Sequence, residues 1–216
     1  MKNSLLIALL GVTSLPATAQ KIELGINGGI MGFIPKSEFV SGESIPGHYA
    51  NCRIALNILK WQVGVGIDKY QTTTRYYSTG AQANETETYK HSSFAPQLFA
   101  NRVIKLPKSY LYGGINAGIN ITKQYYSYEE ITRDANYIPR DPYRAPARWL
   151  PHRASFGVQA GYTVLLGKHF GVNAEAGARY MRMQTIAYMG MQPLAGAGPW
   201  TYVLQFPLSL GVRYSL

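Results

Sequence analysis

The chain has 216 residues, 21 Lys and Arg against 11 Asp and Glu for a formal net charge of +10, 46% hydrophobic residues and one cysteine. That length suits a single domain, and one cysteine excludes a disulfide within the chain. Past residue 20 no apolar run is long enough to cross a bilayer as a helix; this excludes a helical membrane protein but not a barrel, whose spanning segments alternate.

The N-terminus reads Met1-Lys2-Asn3, then an apolar run from Leu5 to Leu15, then Ala17-Thr18-Ala19. A basic start, a short apolar core and an A-x-A ending are the parts of a secretory signal peptide, and the run is too short for a spanning helix. Residues 1–19 are therefore expected to be a signal peptide and 20–216 the mature domain. No cysteine sits at the cleavage point, so a lipid-anchored lipoprotein is not expected. Export argues against nucleic acid as a partner, so the basic charge points to anionic lipid or glycolipid head groups. Cys52 reads as a small apolar side chain on a strand.

Eight segments then alternate with period two, as half-buried strands do. The first, from about Lys21 to Ile34, sets Ile22, Leu24, Ile26 and Ile30 against Glu23, Gly25, Asn27 and Gly29. The second carries Cys52, Ile54 and Leu56 opposite Asn51, Arg53 and Ala55, and the third Val63, Val65 and Ile67 opposite Gln62, Gly66 and Asp68. The fourth, Ser93 to Leu106, is blurred around Phe99 and Arg102 and interrupted by Pro96. The fifth sets Leu111, Ile115 and Ile119 against Tyr112, Asn116 and Asn120; the sixth sets Phe156 and Val158 against Ser155 and Gln159. The seventh opposes Val172, Ala176 and Tyr180 to Asn173, Glu175 and Arg179. The last, Trp200 to Leu216, is apolar at every second position from Tyr202, with Val203 and Pro207 as exceptions on its polar face.

The connectors alternate too. Pro35–His48, Tyr76–Ser92, Tyr126–Pro151 and Thr185–Pro199 are long; Leu59-Lys60, Pro107-Lys108-Ser109 and Gly167-Lys168-His169 are tight turns. All long connectors therefore leave one end of an all-β, eight-stranded antiparallel up-and-down barrel, the asymmetry of a transmembrane β-barrel with short periplasmic turns. The polar faces are rich in Gly, Asn, Gln, Ser and Thr and poor in Lys and Glu, which suits a narrow lumen better than a solvated exterior. The greasy faces then point to lipid. Aromatics are expected in two girdles: Trp61, Tyr110, Phe170 and Tyr214 near the tight turns, with Phe33, Tyr70, Phe94, Phe156, Tyr180 and Trp200 or Tyr202 near the other end. Pro96 and Pro207 lack a ladder donor and are expected at bulges or near the rim.

With its signal peptide, its Gly-rich first strand Leu24-Gly25-Ile26-Asn27-Gly28-Gly29 and its closing strand Leu208–Leu216, the mature chain resembles the small outer-membrane β-barrel family of Bacteroidetes-type bacteria. That architecture is related to OmpA- and OmpX-like barrels. The resemblance implies surface proteins, adhesins or secretion accessories, and assembly by the outer-membrane insertion machinery. The family often ends in an aromatic residue; here Leu216 is last and Tyr214 shares its face.

Inside the barrel, Glu23, Arg53, Asp68, Glu175, Arg179 and Arg213 are expected to pair in a polar network, since an isolated buried charge is costly. A narrow proton or ion path is the functional alternative to a structural plug. The third long connector mixes Tyr128, Tyr137, Tyr143 and Trp149 with Arg133, Arg140, Arg144 and Arg148, residue types favoured at binding hot spots, and is a candidate surface-binding loop for an extracellular protein or glycan. No motif for catalysis, metal or cofactor is present, so no cofactor is expected. His91-Ser92-Ser93 is the one segment that fits a lipid A-modifying hydrolase, without a third orienting group. The reading is a non-enzymatic outer-membrane barrel whose partners are outer-membrane lipids and lipopolysaccharide. The alternatives are that hydrolase and a soluble periplasmic lipocalin-like barrel with an apolar ligand.

Overall fold

The computed structural model describes residues 21–36, 42–79, 83–132, 138, 141–184, 188–189, 192–193 and 200–216. The proposed signal peptide lies outside them. Eight long strands form the body: β1 (Lys21–Lys36), β2 (Gly47–Ile58), β3 (Trp61–Thr79), β4 (Ala83–Leu106), β5 (Ser109–Thr132), β6 (Arg153–Leu165), β7 (Phe170–Gln184) and β8 (Trp200–Ser215). Each pairs antiparallel with its neighbours in sequence, and β8 pairs with β1, so every strand has two partners and the sheet closes on itself.

The pairing sets the barrel's dimensions. A walk across the sheet from Leu24 runs through Ile54, Val65, Leu98, Ala117, Phe156, Tyr180 and Leu204. It returns to β1 at Ile34, ten residues beyond its start. A stagger of ten over eight strands tilts them by about 40°. Eight strands leave an interior just wide enough for side chains.

The two faces sort as the alternation requires. Outward apolar residues are exposed along all eight strands, among them Ile26 at 62%, Ile115 at 65% and Leu210 at 68%, whereas inward Asn27, Gln62, Asp68 and Thr163 are at 2% or less. On β5 the outward apolar run spans Leu111 to Ile121, on β7 Phe170 to Tyr180 and on β8 Tyr214 to Leu204. Each covers ten residues of climb, about 25 Å at this tilt, the height of a transmembrane apolar band. A continuous apolar exterior of that size is unsuited to water.

Three expectations are corrected. The connectors Tyr76–Ser92 and Tyr126–Pro151 are largely strand: β3 continues to Thr79, β4 starts at Ala83 and β5 continues to Thr132. Two shorter strands flank these extensions, Gly42–Ile45 on β3 and Tyr143–Trp149 on β5. The result is a five-stranded sheet standing above the apolar band, built from Thr- and Tyr-rich stretches that favour pleated backbone. Secondly, Pro96 and Pro207 sit within strands without a register shift. Pairing lapses beside each on the side where its missing N–H would have donated, then resumes in the same register. Thirdly, Phe33, Tyr70 and Tyr110 point inward, being at most 8% exposed, while Trp61, Phe94, Phe156, Phe170, Tyr180 and Tyr202 remain on the outer face.

The tight turns fall where expected. Leu59 in the two-residue turn between β2 and β3 has φ of 55°, the left-handed region that such hairpins need and that a leucine enters only at a cost.

Candidate functional site

The inward residues on the tight-turn side of the barrel meet across the lumen. Arg213 on β8 donates to Glu23 on β1 at 3.1 Å, and its other nitrogen donates to the Tyr112 hydroxyl at 2.9 Å. Tyr112 in turn donates to Glu175 at 2.7 Å, and Glu175 also forms an ion pair with Arg53. Arg179 pairs with Asp68, which accepts further hydrogen bonds from Asn51 and from Gln97. All six charged residues named from sequence are thus inside the ring, each at most 5% exposed, and each contacts at least one opposite charge. Three arginines balance three acids, so this layer carries no formal net charge.

Amides extend the network. Asn116 donates to Gln159, Gln159 to Asn101, Asn101 to Gln62 and Gln62 to Glu23, each at 2.9–3.1 Å. Phe99, the residue that blurs the fourth strand's alternation, turns inward so that the Arg53 guanidinium lies 5.2 Å from its ring; Arg102 turns outward over Trp61 at 5.3 Å. Higher in the lumen Tyr70 donates to Asn120 at 2.6 Å and accepts from Gln205 at 3.0 Å.

Above the polar layers the lumen turns apolar. Phe33, Leu150, Met181 and Val203 form one buried cluster, and Met31, Tyr49, Tyr70 and Ala95 another. Val203 is therefore no flaw in the last strand: its inward apolar side chain packs in this cap. Leu150 is the residue sequence reasoning missed. It reaches in just beyond the Tyr143–Trp149 strand, its N–H held by the Thr122 carbonyl at 2.9 Å. Its flag was an aliphatic residue set beside Pro151 in a polar stretch.

The candidate surface loop divides. Tyr128 is 3% exposed on the inner face of the upper sheet, where it packs with Tyr89 and Tyr126 and against Tyr143, so it lies in a strand and is buried. Tyr143, Arg144, Arg148 and Trp149 belong to the flanking strand rather than to a loop. Arg133, Tyr137 and Arg140 lie outside the described residues. On the outer face the Lys123 ammonium sits between two rings, 5.7 Å from Tyr125 and 5.5 Å from Trp149, at the upper edge of the apolar band. Arg182 occupies the same level on β7, 5.8 Å from the Tyr202 ring, which stacks on Tyr180.

His91 and Ser93 both point into the barrel mouth. Ser93 bonds to the Thr122 hydroxyl at 2.8 Å and neither ring nitrogen of His91 meets a serine, while Ser92 faces outward. Burial pushes the His91 imidazole down to about 4, against a smaller opposing effect of Gln124. It stays neutral near pH 7 and has no nucleophile to activate.

No protein-family model matches the chain, and no curated protein matches it. Among solved structures it is similar to Neisserial surface protein A, with 14% identity, 89% of this chain and 96% of that one covered and a TM-score of 0.49. It is also similar to the outer membrane protein OprG of Pseudomonas aeruginosa, at 12% identity, 92% and 97% coverage and a TM-score of 0.47. A third is Ail, the attachment invasion locus protein of Yersinia pestis, at 12% identity, 92% and 100% coverage and a TM-score of 0.41. These are small outer-membrane β-barrels, and the likeness is one of fold.

Proposed function

We propose that the chain is a non-enzymatic outer-membrane β-barrel with a structural or surface-interaction role, such as adhesion or support of secretion. It fits the small barrels of Bacteroidetes-type bacteria with OmpA- and OmpX-like architecture, exported by its signal peptide and inserted by the outer-membrane assembly machinery. The observation that carries the reading is the inversion of the fold. Large apolar side chains cover the outside over about 25 Å, while charges and amides neutralise one another within. In hydrocarbon a closed sheet leaves no backbone edge unpaired. A lipocalin-like barrel would need the opposite sorting of faces. The inward setting of His91, with no hydroxyl hydrogen-bonded to either ring nitrogen and Ser93 engaged by Thr122, weighs against the hydrolase.

With its lumen filled by paired side chains, the barrel serves as a rigid anchor for the upper sheet, which offers its outer surface to lipopolysaccharide and to an extracellular protein or glycan. Cys52 supplies the test. It faces outward, paired with Ile26 and Ile67 in the apolar band. In native outer membranes Cys52 should resist a charged, water-soluble thiol reagent and react with an apolar maleimide, and it should become reactive to both after boiling in detergent. Ready labelling by the charged reagent in the native protein would overturn the membrane reading.

A further inference from the structure

We propose that the outer wall of β3, β4 and β5 binds one phosphorylated glycolipid of the outer leaflet. Its phosphate and sugar occupy a basic hollow above the apolar band, and an acyl chain occupies a groove below. The proposal rests on the membrane reading above, with the long-connector end outward.

The upper hollow has a volume of about 630 Å³ and is walled by Gln71, Thr88, Lys90, Ser92, Tyr125 and Arg144. Hydroxyls and an amide suit sugar oxygens, and the exposed Tyr125 offers an aromatic face for a sugar ring. Lys90 and Arg144 line the hollow, Lys123 borders it beside Tyr125, and Lys69 stands below it on the outer face of β3. Among the described residues none of these four cations is in an ion pair; the acids that pair with arginine are all in the lumen. By contrast β2, β6 and β8 carry no Lys or Arg on their outer faces. Arg182 on β7 aside, the outward cations at this level are gathered on β3, β4, β5 and the strand flanking β5, where they complement a phosphorylated head group.

The groove holds about 590 Å³ and is lined by Cys52, Ile54, Ile67, Pro96, Leu98 and Ile119, among others, within the apolar band. Its floor lies deepest where small Gly66, Ala117 and Gly118 leave room between larger neighbours, and pairing lapses there beside Pro96. The two hollows are stacked along the barrel axis. Lys123 pairs with Ser92, and Ser92 with Gln71. Four residues down β3 from Gln71 stands Ile67, whose partners are Cys52 and Pro96. Because the strands tilt by about 40°, this sideways-then-down path runs close to the membrane normal. A head group above and a chain below then belong to one molecule. The breadth of the polar hollow and the spread of its cations over two strands and the flanking Tyr143–Trp149 strand favour a sugar phosphate over the smaller head of a glycerophospholipid.

The test uses the full mature chain refolded in nanodiscs of phosphatidylcholine doped with either diphosphoryl lipid A or phosphatidylglycerol, with lipid retained per barrel read by native mass spectrometry. The expected result is one retained lipid A, held at least about tenfold more strongly than phosphatidylglycerol. The surface variant Lys90→Gln/Lys123→Gln should lose roughly tenfold or more of that retention. Ala117→Trp, which fills the groove, should lose it with the cations intact. Equal retention of the two lipids, or retention unchanged in the double lysine variant, would overturn the site. Cys52 labelling on the same samples separates the two failures: a shielded Cys52 without lipid preference removes only the lipid site, whereas a Cys52 open to charged reagent removes the membrane reading.

Discussion

Arg213 and Glu23 lie 190 positions apart in sequence and meet inside the barrel with 3.1 Å between nitrogen and oxygen, across the seam where the last strand closes on the first. Room for this contact comes from Gly25, directly opposite Arg213: a Cβ there would stand 2.9 Å from the arginine Cδ. Arg213→Met leaves Glu23 and Glu175 short of their shared cation, and removing one partner of a buried pair costs about 3–5 kcal/mol. The variant should lose its heat-modifiable folded band at a distinctly lower temperature than the parent. Adding Glu23→Gln restores neutrality to the layer and should recover part of the loss. A double variant no more stable than Arg213→Met would show that the pair's charge is not what holds the seam.

The first strand provides a contrast between neighbours. Gly28 faces outward, and a Cβ there would meet nothing within 4 Å; at Gly29, facing inward, a Cβ would lie 2.0 Å from the Leu208 carbonyl oxygen. Gly28→Ala should refold like the parent. Gly29→Ala must push β8 away from β1 and should reduce the folded fraction in unheated gels several-fold, by the 1–3 kcal/mol that overpacking costs (about fivefold or more). Equal folding of the two would mean that the seam is looser than the pairing implies.

The eight strands were legible because their outward faces must satisfy lipid, so Ile22-x-Leu24-x-Ile26 and Leu208-x-Leu210-x-Val212 announce themselves at period two. Legibility failed where that demand ends. In Thr86-Glu87-Thr88 and Tyr126-Ser127-Tyr128 both faces carry polar or amphipathic groups, one toward water and one toward the packed mouth, so the pattern reads as connector although the backbone stays paired. The charged lumen set could be collected from the alternation, but not its partners. That Arg179 reaches Asp68 on β3 while Arg213 reaches across to Tyr112 follows from the stagger of ten residues, which emerges only once every register is fixed. Tyr70, Tyr110 and Phe33 were misjudged for a related reason: near strand ends an aromatic suits either the head-group region or a narrow lumen, and parity alone assigns the face.

Two tryptophans bracket the apolar band and give its position a spectroscopic reading. Trp61 lies at its lower edge under Arg102, and Trp149 at its upper edge beside Lys123. With a band about 25 Å tall, each ring sits roughly 12 Å from the bilayer centre. Single-tryptophan proteins, Trp149→Phe/Trp200→Phe and Trp61→Phe/Trp200→Phe, should therefore both be quenched best by lipids brominated close to the head group. Strong quenching of either by bromines near the chain ends would mean that the band is misplaced along the barrel.

His91 makes the upper sheet sensitive to acid. It lies inside the ring at 3% exposure, three residues above Phe94, the uppermost outward apolar side chain on β4, and it pairs across the sheet with Thr72 and Gln124. Burial holds its imidazole at about 4, whereas in an opened sheet it would titrate near its ordinary 6.5. Above pH 6.5 both forms are neutral and the histidine leaves the opening equilibrium alone. Between pH 6.5 and 4 only the opened form takes up the proton, so opening becomes easier as the pH falls, by up to about 3 kcal/mol once both forms are charged. Amide exchange along residues 88–92 and 122–126, corrected for the intrinsic pH dependence of exchange, should accelerate on going from pH 7 to pH 4.5, while the lower halves of β4 and β5 stay protected. His91→Gln keeps a polar side chain of similar reach without the titration, and its upper-sheet exchange should be nearly level over the same range. Acid sensitivity that survives in His91→Gln would assign the effect to another group and leave the buried histidine as packing alone.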